Sequence, residues 1–182
     1  IVIPARIKSS RFPGKPLAKI NNKEMIIWVA QTCKNVIGNS NVVIATDDLK
    51  IKKVANNYGF KAIMTSKTCS TGTDRVAEVS KKIKADIYIN VQGDEPIIKD
   101  RDIRKVISAK TRFPNHVICA YSNLLKKEKP TDVNIPKVLI NSKKDLIYIS
   151  RLPLPGQKNY TKIQKVNYFK QVCIYAFNRK EL

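Results

Sequence analysis

Apolar runs of five or six residues alternate, over the first 114 positions, with segments whose apolar residues recur every three or four places. "IVIPA" (1–5), "NVVIAT" (41–46), "KAIMT" (61–65) and "DIYINV" (86–91) read as strands. Between them, Met25, Trp28, Val29, Thr32 and Val36 share one face at helical spacing, as do Ile51, Val54, Ala55 and Tyr58. Val76, Val79 and Ile83 mark a third helix, and Ile103, Val106 and Ile107 a fourth. Asp47 and Asp48 lead the second helix and Gly59 ends it. This β-α-β-α order predicts an α/β fold with a mainly parallel sheet and helices on both faces.

After Pro114 the period changes. "HVICAYS", "PKVLI", "DLIYIS" and "VCIYAF" are strand-like with little helical pattern between them, which predicts strands appended to the parallel core. Residues 153–168 are polar, carry Pro and Gly, and read as a surface loop. The expectation is one domain over 1–182, with an α/β core at 1–114 and a strand-rich part at 115–182. The chain opens at Ile1 on one strand-like run and closes at Leu182 just after another, so both ends are expected to be cut.

Composition changes the picture in two places. Four cysteines, Cys33, Cys69, Cys119 and Cys173, lie far apart without a C-x-x-C pair, and there is one histidine, so a zinc site is not expected. Isolated thiols in strands fit a reducing cytoplasm. No stretch reaches the ~18 to 20 apolar residues of a spanning helix, so the sequence reads as soluble, with no membrane partner. Lys and Arg number 35 against 14 acidic residues, a formal +21, which raises the question of nucleic acid. The lysines are spread along the whole chain beside many Asn and Ile, without a basic tail or an aromatic-interleaved helix. A small polyanionic substrate is therefore favoured over nucleic acid.

In open α/β sheets ligands bind outside the C-terminal strand ends, which directs attention to the residues that follow each strand. After the first strand comes "ARIKSSRFPGKP", with Arg6, Lys8, Arg11 and Lys15 in ten residues, Ser9 and Ser10 between them, and Gly14. Arg and Lys give charge-assisted bonds to phosphate oxygens. Neither G-x-x-x-x-G-K-[ST] nor G-x-G-x-x-G is present, so the common ATPase and dinucleotide readings fail, and a solvated basic loop stands beside a phosphate loop. In "STGTDR" (70–75), Thr73 as N-cap with Asp74 in the first turn is a sufficient structural account, and Gly72 beside hydroxyls could also meet a nucleotide. "NVQGDEP" (90–96) sets Asp94 and Glu95 at the end of a buried-looking strand. Asp94 there can hold Mg²⁺, which takes one or two carboxylates and shares the rest with water and phosphate.

Together "IPARIKSSRFPGKPL", "VVIATDD", "STGTDRVAEV", "INVQGDEPII" and "YISRLPLP" resemble, in order and spacing, the bacterial 3-deoxy-manno-octulosonate (Kdo) cytidylyltransferases. The resemblance implies a Rossmann-like nucleotidyltransferase core and a smaller sugar-binding part that mediates homodimerisation. It implies a cytoplasmic, Mg²⁺-dependent enzyme that joins CTP to a 2-keto-3-deoxy sugar acid for lipopolysaccharide assembly. Arg6, Ser10, Arg11 and Lys15 match its triphosphate loop, with Arg6, Lys15 and Asp94 catalytic and Asp94 a magnesium ligand. Gly72, Thr73, Asp74 and Arg75 match the motif near the nucleotide. Gln92, Ser150 and Arg151 match sugar-acid positions.

Two departures stand out. Gln171 occupies the place of a family histidine on the sugar side. The family's other magnesium-binding aspartate lies in a later segment, so a chain ending at Leu182 would be expected to be inactive. Two other readings stay open: another acid sugar (an 8-amino Kdo analogue or a nonulosonate) as acceptor, or a non-catalytic nucleotide- or RNA-binding module.

Overall fold

The computed structural model describes residues 1–8, 12–156 and 166–182. The chain divides into two compact units, Ile1–Ile118 with Cys173–Leu182, and Cys119–Val172. The sequence pattern changes at Pro114; the chain divides at Ile118, and its last segment returns to the first unit. A non-local return of this kind leaves no mark in local periodicity.

In the first unit β1 (Val2–Ala5), the hairpin β2 (Lys19–Ile20) and β3 (Lys23–Glu24), α1 (Met25–Ile37), β4 (Val43–Thr46) and α2 (Leu49–Asn57) follow in order. They are succeeded by β5 (Lys61–Met64), α3 (Gly72–Lys82), β6 (Tyr88–Val91) and α4 (Asp100–Arg112). The strand order β5-β4-β1-β6 is parallel, which makes the fold α/β as expected. β1, β4 and β6 are buried at every position, as a sheet covered on both faces requires. On one face Val76 and Val79 of α3 pack on Val2, Val43, Ala45 and Tyr88. α1 packs against α4.

The buried residues of α1 are Ile26, Ile27, Val29, Ala30 and Cys33, so of the expected Met25, Trp28, Val29, Thr32 and Val36 face only Val29 is buried and the core side lies one step round. "MIIWVA" is apolar almost all round, so periodicity alone does not choose a face. Cys33 is accordingly helical rather than in a strand. α2 starts as expected, with the Asp48 carboxylate accepting from Lys50 N and Ile51 N, and Gly59 follows it at φ 75°.

β1 carries a proline at its centre. The Pro4 carbonyl faces β6, where it accepts from Gly93 N at 3.4 Å, so the missing Pro4 N–H is one that would have joined the same ladder. The β1–β6 register is accordingly the single pair Val2↔Asn90, while β1–β4 runs unbroken from Val2 to Ala5. The crossover switches sides of the sheet at this pair of strands, and the crevice lies at their C-terminal ends.

The second unit contains β7 (Ile118–Asn123), β8 (Lys137–Ile140), β9 (Leu146–Ser150) and the start of β10 (Phe169–Phe177). β10 pairs with β8 antiparallel, and β8 with β9. The β8–β9 turn is closed by the Asn141 side chain, whose Oδ1 accepts from Lys143 N and Asp145 N. The end of β10 lies in the first unit, antiparallel to β6. Among the described residues no helix is long and apolar enough to cross a membrane.

One buried cation ties the end of the chain to the core of the first unit. The Lys110 side chain, 1% exposed, donates to the carbonyls of Pro114 and His116 and to both oxygens of Glu181. Burial pushes the Glu181 carboxyl up, but the Lys110 hydrogen bonds and charge outweigh it and hold the group below its usual 4.5. A carboxylate whose folded pKa is depressed stabilises the fold above its unfolded pKa and loses that contribution as pH falls through the folded one. Urea unfolding of Glu181→Gln is expected to show a loss of about 3 kcal/mol near pH 7 and a weaker acid dependence below about pH 4.5. An unchanged acid limb would remove this pair from the stability account.

Candidate active site

After β1, Phe12, Lys15 and Pro16 line the same cavity as Pro4 and Ala5 at the strand end. Gly14, at φ 73°, donates to Ile7 O and opens the short 3₁₀ turn Lys15–Leu17. That turn aims Lys15 across the crevice, where its Nζ donates to Asp94 Oδ2 at 2.7 Å. The two residues are 79 positions apart and only 34% and 47% exposed. Arg6 lines the same cavity, of about 420 Å³, with Gln92 and Asp94 from the β6 end and Ser70, Thr71 and Gly72 from the α3 start. Ser10 and Arg11 lie outside the described residues.

Close approach rather than turn geometry fixes two glycines here. A Cβ on Gly93 would sit 2.6 Å from Ile26 Cδ1 and 2.9 Å from the Pro4 carbonyl oxygen. On Gly72 it would meet Gln92 Nε2 at 2.8 Å and Pro4 Cγ at 3.0 Å. The ends of β1 and β6 therefore meet at backbone level at Gly93, and the start of α3 comes against the Pro4 ring and the Gln92 amide at Gly72. "NVQGDEP" continues as a tight turn, with Glu95 N donating to Gln92 O and Ile98 N to Glu95 O.

The cap of α3 differs from the sequence expectation. Thr71, not Thr73, is the N-cap: its hydroxyl accepts from Asp74 N, and Asp74 accepts from Thr71 N at 2.8 Å, a complete capping box. That backbone hydrogen bond, ahead of the opposing effect of burial, holds the Asp74 carboxyl below its usual value. Thr73 and Asp74 thus build the helix start, while Ser70, Thr71 and Gly72 face the cavity. Thr71-x-x-Asp74 is itself the capping-box spacing, so the signal was present in the sequence.

Arg75 is also engaged internally. Its guanidinium donates to Thr65 Oγ1 at 2.6 Å, Ser66 O at 3.0 Å and Asp47 Oδ2 at 2.8 Å, in a buried cluster beside the cavity. Asp47, read from sequence only as a helix leader, is the carboxylate of this tie. The remaining sugar-side candidates belong to the second unit. Ser150 Oγ accepts from Leu152 N, and Arg151 Nη1 donates to Val133 O. Gln171 N donates to Pro136 O. Lys137, fully buried, donates to the Arg151 and Asp132 carbonyls, a support that residue type alone does not single out among so many lysines.

As a metal site the cavity offers one carboxylate. Among the described residues no group of three or more His, Cys, Asp or Glu comes together. Asp94 suits a hard divalent cation that draws its other ligands from water and phosphate oxygens, the donor set such an ion accepts beside a polyphosphate. Lys15 and Arg6, on the same rim, suit the phosphates themselves.

The mainly parallel sheet with its crevice at the β1 and β6 ends is an α/β nucleotidyltransferase fold. The profile of the cytidylyltransferase family matches residues 1–182. The chain is similar to the 3-deoxy-manno-octulosonate cytidylyltransferase of Escherichia coli, with 40% identity over 182 residues, 100% of this chain and 73% of that relative. It is also similar to the 8-amino-3,8-dideoxy-manno-octulosonate cytidylyltransferase of Shewanella baltica, 35% identical over 185 residues, 99% of this chain and 74% of that relative. Among solved structures, a CMP:2-keto-3-deoxy-manno-octonic acid synthetase complexed with CTP matches at 40% identity and TM-score 0.88, over 98% of this chain and 73% of that one. The chain belongs to the cytidylyltransferase family and, within it, to the 3-deoxy-manno-octulosonate cytidylyltransferases.

Proposed function

We propose that this protein transfers CMP from CTP to 3-deoxy-manno-octulosonate, releasing pyrophosphate, as a cytoplasmic step of lipopolysaccharide synthesis. The observation that carries the reading is the Lys15–Asp94 pair at the C-terminal ends of β1 and β6, within a cavity that Arg6 also lines. The sugar's anomeric hydroxyl oxygen bonds to the α-phosphorus of CTP. The bond from that phosphorus to the oxygen bridging to the β-phosphate breaks, and the hydroxyl proton passes to water. Nucleotidyl transfer asks the protein mainly for positioning and charge stabilisation. Lys15 and Arg6 neutralise the triphosphate, and Gly72 leaves room for the chain's own closest approach to Gln92. Asp94 would hold Mg²⁺, which when bound neutralises phosphate charge and lowers the pKa of a coordinated hydroxyl. In the first unit Gln92 is proposed to meet the sugar acid; in the second unit Ser150, Arg151 and Gln171 match the family's sugar-side positions, with Arg151 matched to a carboxylate.

Gln171, in place of the family histidine, and the Shewanella baltica relative favour one second reading, an 8-amino sugar acid as acceptor. Pyrophosphate release by the intact protein, with each nucleoside triphosphate against Kdo, 8-amino-Kdo and a nonulosonate, separates these. Turnover with CTP and Kdo that exceeds the others by tenfold or more is expected. Preference for the 8-amino acid would move the assignment to the second reading, and salt-dependent RNA binding without turnover would replace both.

A homodimer is proposed through the second unit. There β9 ends the order β10-β8-β9 and leaves Leu146, Ile147 and Tyr148 exposed on an unpaired edge among the described residues. Long apolar edges are templates for pairing with another chain. Light scattering on Tyr148→Asp should give the monomer mass where the native protein gives the dimer. A dimer that survives the substitution rejects this edge as the interface.

A further inference from the structure

β6 carries an amide where its neighbours are apolar. Asn90 is fully buried on the central strand, paired with Val2 of β1 on one side and Tyr175 of β10 on the other. Its Oδ1 accepts from Gln92 Nε2 at 3.1 Å, and its Nδ2 has no hydrogen-bond partner among the described residues. A buried donor left unmade costs about 1–3 kcal/mol, which an aliphatic residue at this position would avoid. The other buried polar side chains of the first unit, Thr46, Thr65, Arg75, Ser80 and Lys110, make bonds that tie parts of the fold together. Asn90 instead makes one bond, and it runs to a residue that lines the cavity.

Gln92 is held from a second direction. The position of a Cβ on Gly72 lies 2.8 Å from its Nε2 and 3.2 Å from its Oε1, so the amide rests against the first residue of α3. Between Gly72 and Asn90 its plane is set. With Nε2 donating to Asn90, Oε1 is the amide's remaining acceptor and has no hydrogen bond among the described residues.

We infer that Asn90 is a positioning residue: it fixes the Gln92 amide so that the carbonyl Oε1 is the group offered to the acceptor substrate, where it selects a hydrogen-bond donor of the sugar acid. The inference rests on the proposed sugar-side role of Gln92. Without Asn90 the amide can turn over and present its NH₂ group, which a hydroxyl can meet less specifically and a positively charged amine not at all. Selection therefore operates at a residue that never touches the substrate.

The test is a double-mutant cycle in the intact enzyme, Asn90→Ala, Gln92→Met and both, with KM for the sugar acid and for CTP measured separately. Asn90→Ala should raise KM for the sugar acid about tenfold, the equivalent of one hydrogen bond at about 1.4 kcal/mol, and leave KM for CTP within about twofold. In the Gln92→Met background the same change should add nothing, because Asn90 acts only through that amide. Asn90→Asp, which keeps the Oδ1 acceptor, should recover most of the loss. Should Asn90→Ala fail to fold, Asn90→Ser carries the same cycle. A penalty that is additive on Gln92→Met, or that falls equally on both KM values, makes Asn90 a structural residue and overturns the inference. Native sugar-acid KM in Gln92→Met overturns the sugar-side reading of Gln92, and the inference with it.

Discussion

The active cavity depends on a backbone contact. Pro4 withholds a ladder hydrogen bond from β6, and the ends of β1, β6 and α3 close on one another where Gly93 and Gly72 have no Cβ to keep them apart. Everything chemical in the first unit hangs from that contact. It sets Gln92 against α3, carries Asp94 to the rim, and leaves the basic loop after β1 to bring Lys15 from the other side. The constraint is steric and local, whereas the residues it gathers are far apart in sequence.

Electrostatics then decides what the cavity accepts. The Lys15–Asp94 pair is partly exposed, and pairs of this kind contribute only about 0.2–1 kcal/mol. Under the proposed function a triphosphate would compete for Lys15, offering more negative charge than one carboxylate does, and would leave Asp94 open to a cation. Arg75 behaves oppositely. Its buried bonds to Asp47, Thr65 and Ser66 give it a fixed place beside the cavity, where loss of Asp47 would leave an uncompensated buried charge.

The parallel strands were legible because fully buried strands read as unbroken apolar runs, and Asp48 announced its helix by type and place. Arg6 and Gln92 directly follow β1 and β6, and Lys15 and Asp94 lie in the loops after those strands, which is why the sequence pointed to these four as candidates that line one cavity. What failed was local ambiguity or long range. Thr71 and Thr73 both offer a hydroxyl at the α3 start, and only the spacing to Asp74 separates them. The first half of α1, "MIIWVA", is apolar almost all round. The buried Lys110 and Lys137 are indistinguishable by type from the solvated lysines around them, and nothing in the period of β10 says that its second half pairs with β6. Asn90 reads in sequence as one residue of a strand, and its unmade donor exists only once the strand is packed.

The exchange at Lys15 and Asp94 is the centre of the account, and calorimetric titration of CTP with and without Mg²⁺, on the native protein and on Asp94→Asn, measures it directly. Removing the carboxylate frees Lys15, so the variant is predicted to bind metal-free CTP several-fold more tightly than the native protein and to gain nothing when Mg²⁺ is added. Metal-free affinity no higher than native, together with the full native gain from Mg²⁺, would contradict it.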